Sequence, residues 1–182
     1  MLYFEILSAP ISESAQKYKG LYRRSPCPLK NGGNSKRFME LWNRYAENYD
    51  TAMGITTELT FKEIKELAEL ASAELGESYE VVCFTEKNEC PNSVYTYYGM
   101  DVISFGGYSM VGENIFTENE RCPIKGVIHI LNEYFRDKLN EYGLFGEEAY
   151  AVEFLNVLKD LNESIPCIIE NESWRIVHIF SV

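Results

Sequence analysis

The residues of this sequence that could act as nucleophiles are five cysteines, and those best able to activate them are two histidines. Cysteine catalysis needs a thiolate beside a base, so the setting of each histidine decides whether that chemistry is available. His129 lies on the polar side of a predicted helix and is interpreted as a solvated surface residue. His178 alternates with apolar residues on the last predicted strand, which indicates a packed or hydrogen-bonded core histidine. A Cys–His pair that uses His178 is therefore a minor hypothesis.

The cysteines lack the spacing of a disulfide framework or a zinc site, because no CxxC pair occurs. Cys83 and Cys167 lie in apolar strand contexts and are expected in the core. Neither a secretory signal nor an apolar run long enough to span a bilayer is found. We therefore expect free thiols, a reducing cytoplasmic compartment, no metal and no cofactor. The other cysteines each precede a proline in a predicted loop: Cys27, Cys90 and Cys122.

Paired carboxylates could serve general acid–base catalysis, but they are expected by chance in a chain with 28 acidic residues. Glu147 and Glu148 are an example at the start of a predicted helix, where negative charge suits the helix dipole. Adjacent helical residues do not face one another, so these pairs are interpreted as solvated surface.

A tyrosine-rich segment, residues 95–114, carries polar groups suited to a binding surface. It combines five aromatic residues and four glycines. Functional groups on loops that a sheet holds in place commonly form sites, and tyrosine is favoured in binding surfaces. The alternative is a sheet whose tyrosine rings simply pack on helices. The candidate binding residues, for a partner or a ligand, are Tyr95, Tyr97, Asp101, Tyr108, Ser109 and Glu113.

Charge is distributed unevenly along the chain. Residues 1–45 hold eight basic and three acidic side chains, a net charge of +5, whereas the remainder holds nine basic and 25 acidic ones, a net charge of −16. The basic part interleaves aromatic residues, as single-strand nucleic-acid binders do. The alternative is an arm that folds back on the acidic body, and the total charge of −11 disfavours a polyanionic ligand. The candidate anion-binding residues are Arg23, Arg24, Lys36 and Arg37.

The segment 30–36 resembles an anion-binding nest, because Gly32 and Gly33 come shortly before a predicted helix. It lacks the spacing of a nucleotide-binding P-loop. A turn that ends in the helix-capping residue Ser35 explains the same residues equally well.

Strands and helices are predicted in runs rather than in strict alternation, which indicates an α+β protein with a mostly antiparallel sheet. The clearest helix opens with the capping-box residues Thr60 and Glu63 and ends at Gly76. Residues 8–34 show no period and are predicted to form a long basic loop or arm. We expect a single domain over residues 1–182, with about five to six strands and about four helices. The predicted helices cover residues 35–49, 60–75, 125–142 and from about 146 to 161, and the predicted strands cover 1–7, 79–86, 94–98, 101–105, 167–170 and 174–182, with a hairpin at 171–173.

These observations favour a non-enzymatic acidic protein that binds a basic protein partner, because an acidic surface steers association with a basic one. A bacterial immunity or inhibitor protein is an example, on the basis of size and charge alone. One alternative is a small enzyme or ligand-binding domain with a pocket near Asp101, Tyr108, Ser109 and His178. A second alternative is oligonucleotide binding through the basic, aromatic N-terminal arm. We expect no catalytic residue, no membrane association and no nucleic-acid partner.

Overall fold

The computed structural model describes residues 2–8, 26–46, 59–103, 134–164 and 175–182. In these ranges the chain forms four strands, three α-helices and one short 3-10 turn. In chain order they are β1 Leu2–Ser8, α1 Lys36–Ala46, α2 Phe61–Leu75, β2 Tyr79–Thr85, β3 Thr96–Ile103, the 3-10 turn Arg136–Lys138, α3 Glu148–Ser164 and β4 Arg175–Ser181.

The four strands make one antiparallel sheet in the order β1-β2-β4-β3. The last strand is thus inserted between β2 and β3. Because β2 and β3 are both antiparallel to β4, they run in the same direction, and the connection between them, residues 86–95, has to cross β4. The structure confirms the predicted α+β class and the antiparallel sheet.

Alternation along β1 and β2 sends side chains into two separate apolar clusters. Ile6 and Val81 belong to one cluster, and Leu7 and Val82 belong to the other, so the clusters lie on opposite faces of these two strands. α1 and α2 bury their apolar stripes in the first cluster, and α3 belongs to the second. The buried helical side chains are Phe38, Leu41, Tyr45, Ile64, Leu67, Ala68 and Ala71 in the first cluster and Ala151, Phe154 and Leu158 in the second.

Polar side chains fix the helix ends where the sequence predicts them. Ser35 Oγ accepts the backbone N–H of Phe38 at 3.1 Å, so Ser35 caps α1. Thr60 and Glu63 form the capping box of α2, because the side chain of each accepts the backbone N–H of the other, at 3.3 and 2.8 Å. Gly76 ends α2 with a left-handed φ of 75°.

Glu74, near the end of α2, joins the two helices. Its carboxylate accepts hydrogen bonds from the backbone N–H and the hydroxyl of Ser35, at 2.8 and 2.6 Å, and from Asn34 Nδ2 at 3.1 Å. These bonds, led by that of the Ser35 hydroxyl, lower the pKa of Glu74. The turn before α1 therefore does hold an anion, and that anion is a carboxylate of the same chain.

β3 is one strand with a bulge. The sequence predicts two strands here, 94–98 and 101–105, because a glycine lies between them. The register shifts between Tyr97 and Gly99, which makes Tyr98 the extra residue. Gly99 has a φ of 138°, a conformation that glycine adopts without the penalty of a side chain. A bulge bends a strand without ending it, so the glycine marks a local kink.

The outer edge of β3 pairs with an extended segment that precedes α3. Met100 and Phe145 exchange two backbone hydrogen bonds, of 2.8 and 2.9 Å, and Asn140 Nδ2 donates to a β3 carbonyl at 2.7 Å. A Cβ atom at Gly99 would lie 2.8 Å from Leu144 Cβ. This close approach also requires glycine, and it fixes the place where α3 begins.

The described part of the predicted helix 125–142 is helical only as far as Lys138. Tyr134 and Phe135 lie in a π-helical turn that continues into the 3-10 turn Arg136–Lys138, after which Leu139 is extended with a ψ of 142°. Phe135 and Leu139 are buried, whereas Tyr134 is 62% exposed. Gly143 is left-handed with a φ of 71°, although it belongs to a turn and not to a helix end. Pairing with the edge of β3 satisfies the backbone here in place of a helix.

Among the described residues, four strands and three α-helices are fewer than the five to six strands and about four helices predicted. The predicted strand 167–170, the hairpin 171–173 and residues 125–133 of the predicted helix lie outside these residues. Most of the predicted arm, residues 9–25, lies outside them too, and residues 26–34 form neither helix nor strand. The single domain stays a prediction.

We expect Gly99→Ala to destabilise the protein more than Gly76→Ala does. Both residues have a positive φ, but a Cβ at Gly76 would meet nothing within 4 Å. Gly76→Ala therefore costs backbone strain of about 1–2 kcal/mol, whereas Gly99→Ala adds overpacking of roughly 1–3 kcal/mol. Urea unfolding gives both free energies. Equal losses of unfolding free energy in the two variants would contradict the close approach of Leu144 to Gly99.

Candidate functional site

Cys83 and Phe180, cross-strand neighbours on β2 and β4, are both buried. Cys90 and Tyr95, which lie in the β2–β3 connection, are near enough to Cys83 to influence it electrostatically. Burial, with a smaller effect of Cys90, raises the pKa of the Cys83 thiol to about 11. Cys83 is thus a core residue, as predicted, and does not supply the thiolate that a Cys–His mechanism needs.

Tyr97, at the start of β3, packs against β4. Its ring centroid lies 5.1 Å from that of Phe180 and 6.0 Å from that of His178. A hydrogen bond of 3.2 Å joins its hydroxyl to Nδ1 of His178. His178 is 5% exposed, as predicted for a core histidine, whereas Tyr97 is 41% exposed. A buried side chain therefore holds an exposed tyrosine ring in one orientation.

Burial sets the protonation state of this pair. It lowers the pKa of His178 and raises the pKa of the Tyr97 hydroxyl. The Glu148 carboxylate is the second influence, and it raises the pKa of each group. His178 is therefore mainly neutral at pH 7 and bonds to Tyr97 without a buried charge.

Glu148 comes near Tyr97 because the chain just before α3 is fastened to β3. Phe145 pairs with Met100, three residues along the strand from Tyr97, and α3 begins three residues after Phe145. α3 then packs on β3 and β4. The backbone pairing thus carries an acidic helix start to the exposed tyrosine.

We define the Tyr97 surface as Tyr97, Glu147, Glu148 and Val152. Both glutamates are exposed, and Val152, one turn after Glu148 on the same side of α3, is 40% exposed. Neither glutamate has an ion-pair partner among the described residues. Residues 134–164 carry three basic and seven acidic side chains, a net charge of −4, so this surface belongs to an acidic part of the protein.

Two of the three basic residues of α1, Arg37 and Arg44, are paired with acidic residues of α2. Arg37 donates to both carboxylate oxygens of Glu66, at 2.8 and 2.9 Å, and to Glu40 at 3.1 Å. Arg44 donates to Glu63 at 2.7 Å, and together with the Thr60 cap this lowers the pKa of Glu63 to about 2. Whether the arm itself folds back on the acidic body stays a prediction, because residues 9–25 lie outside the described residues.

The candidate anion-binding residues have different settings. Lys36 is exposed at the start of α1, whereas the guanidinium of Arg37 already binds two carboxylates, which raise its pKa. Arg23 and Arg24 lie outside the described residues. Binding of an external anion by this group stays a prediction.

Asp101 and His178, predicted to share a pocket, are on opposite faces of the sheet. Asp101 pairs with Val177 and His178 pairs with Met100, and neighbouring residues of a strand point to opposite faces. Asp101 is 1% exposed, and its carboxylate accepts the backbone N–H of Val102 at 2.7 Å. Its charge is therefore directed away from the Tyr97–His178 pair.

The other predicted binding residues do not complete that pocket. Tyr95 is half-buried in the β2–β3 connection, and burial raises its pKa. Tyr108, Ser109 and Glu113 lie outside the described residues. The pocket stays a prediction, while Tyr97 is the predicted residue that the structure exposes beside acidic partners.

Two kinds of feature are absent from the described ranges. No set of three or more histidine, cysteine, aspartate or glutamate residues there is arranged to hold a metal ion. No helix in the same part of the chain combines the length and the apolar character needed to cross a bilayer.

Comparison with known proteins identifies no family for this chain. No protein-family model, no curated protein and no solved structure matches it. Function is therefore inferred from the residues described above.

Lowering the pH from 7 to 5 should destabilise the protein through His178. Burial lowers its pKa in the folded state, so the unfolded chain binds the proton more readily once the pH falls below about 6.5. His178→Gln should remove this part of the pH dependence. Urea unfolding at pH 7, 6 and 5 measures the free energy for both proteins.

The carboxylates with lowered pKa values, such as Glu63 and Glu74, lose their stabilising charge only below about 4.5, outside this pH range. An equally steep loss of stability in wild type and His178→Gln would show that His178 is not responsible.

Proposed function

We propose that the protein binds a basic protein partner through the Tyr97 surface, and that this binding is its function. The observation that carries the proposal is an exposed tyrosine that bonds to a buried histidine and lies within electrostatic reach of Glu148, which has no ion-pair partner among the described residues. Tyrosine is enriched among the residues that dominate binding energy at interfaces. A ring that is already oriented loses less entropy when a partner docks.

Charge supports a basic partner. The chain carries a net charge of −11, and the carboxylates of Glu147 and Glu148 are available at the surface because none of the described cations neutralises them. Opposite charge on the partner would steer the encounter and raise the association rate. A bacterial immunity or inhibitor protein, which covers a basic toxin or nuclease in the cytoplasm, is the role we favour.

A photo-crosslinking amino acid placed at position 97 in the native cell tests this proposal. We expect an adduct with a basic protein, and we expect the adduct to decrease when lysates are treated at about 0.5 M salt before illumination, because salt screens exposed charges. Position 61 is the matched control, since Phe61 is similarly exposed, at 39%, but lies on α2. No adduct at position 97, or the same adduct from both positions, would rule out the Tyr97 surface as the interface.

Glu148→Gln should reduce the yield of that adduct by up to about fivefold, the range of one exposed charge pair. Glu69→Gln makes the same change of charge at an exposed position of α2 and should leave the yield unchanged. Equal effects of the two variants would indicate that only the total charge matters.

A further inference from the structure

We infer that Tyr97 and Glu148 form a seat for one arginine side chain of the partner, in which the guanidinium stacks on the Tyr97 ring and pairs with the Glu148 carboxylate. This inference rests on the proposed function and specifies the chemical group that is recognised. Three observations support it: the exposure of Tyr97, the contacts that orient its ring, and a second tyrosine–glutamate pair in the chain that already holds a cation.

The Tyr97 ring is supported on the protein side and accessible from solvent. The ring lies against those of Phe180 and His178, yet Tyr97 as a whole residue is 41% exposed. The face of an aromatic ring is electronegative and attracts a cation. Among the described residues, no cation lies over this ring.

Another tyrosine of the chain already holds a cation in this way. The ammonium group of Lys138 lies 4.8 Å from the centroid of the Tyr150 ring and 3.2 Å from the Glu153 carboxylate. Tyr150 and Glu153 belong to α3, so one helix contributes both the ring and the acid. Tyr97 and Glu148 offer the same two groups beside the start of α3, with no cation from the described residues between them.

Arginine suits this seat better than lysine does. A guanidinium is planar, so it can stack on a ring and still direct N–H groups at a carboxylate beside that ring. A lysine ammonium is a compact and strongly hydrated charge that gains less at an exposed site. Glu148 is exposed and has no ion-pair partner among the described residues, and it can accept two such N–H groups.

His178 acts as a positioning residue in this seat. Its bond to the Tyr97 hydroxyl fixes the far end of the side chain relative to β4, while the contact with the Phe180 ring restricts the ring plane. Tyr97→Phe keeps the ring and loses the bond, whereas Tyr97→Leu loses the ring itself. The two variants therefore separate the orientation of the ring from its attraction for a cation.

NMR titration of the full chain with N-acetyl-arginine amide, and separately with N-acetyl-lysine amide, tests the seat. We expect saturable shifts at Tyr97 and Glu148 with the arginine compound, and binding of the lysine compound at least about twofold weaker. Tyr97→Leu should weaken arginine binding by about two- to fivefold, the range of an exposed cation–π contact. Glu148→Gln should weaken it by up to about fivefold, and Tyr97→Phe, which keeps the ring but loses the bond to His178, should weaken it measurably but less than Tyr97→Leu does.

Tyr134→Leu and Glu69→Gln are the matched controls, because Tyr134 is 62% exposed and Glu69 lies on α2. Equal binding of the two compounds, or no loss in Tyr97→Leu and Glu148→Gln, would overturn the seat. If Tyr97→Leu does not fold, Glu148→Gln decides. If position 97 gives a salt-sensitive adduct but the arginine compound binds no better than the lysine compound, the arginine seat is wrong and the protein partner stands. If the arginine compound binds but position 97 gives no adduct, the protein partner is wrong and the seat stands.

Discussion

Two backbone hydrogen bonds, between Met100 and Phe145, determine where the Tyr97 surface can form. They fasten the segment before α3 to the outer edge of β3, at distances of 2.8 and 2.9 Å. Gly99 allows this approach because it has no side chain to meet Leu144. As a result α3 begins near Tyr97, and its first residue, Glu148, comes within electrostatic reach of the Tyr97 hydroxyl. The Tyr97 surface therefore forms because the segment before α3 covers the outer edge of β3, which would otherwise be open to pairing with other chains.

The position of β4 supplies the other half of the arrangement. Because the last strand enters the sheet between β2 and β3, His178 becomes a cross-strand neighbour of both. The β2–β3 connection must then cross β4, whose Phe180 and its neighbour Cys83 on β2 are both buried. Tyr97 emerges at the end of this connection with its hydroxyl bonded to a neutral histidine. A rigid sheet thus presents one exposed ring in a fixed orientation, which is a property suited to binding.

The helix ends could be predicted from the sequence because they depend on residues that are close to one another along the chain. The Thr60–Glu63 capping box and the left-handed Gly76 involve bonds within one helix, so their residue types suffice to locate them. The bond between Tyr97 and His178 joins residues 81 positions apart. It depends on strand order, which periodicity does not specify. The described part of the predicted helix 125–142 is helical only as far as Lys138 for a related reason, since Asn140 bonds to a carbonyl of β3 and the chain after it pairs with that distant strand.

We expect the partner to dock on the Tyr97 surface and not on the α1–α2 side. Amide hydrogen exchange of the chain, alone and in complex with the basic protein captured at position 97, distinguishes the two. We expect slower exchange in the complex for residues 96–100 and 147–152, with α1 and α2 unchanged. Protection confined to α1 and α2 would contradict the account, because these helices have already paired Arg37 and Arg44 with their own acids.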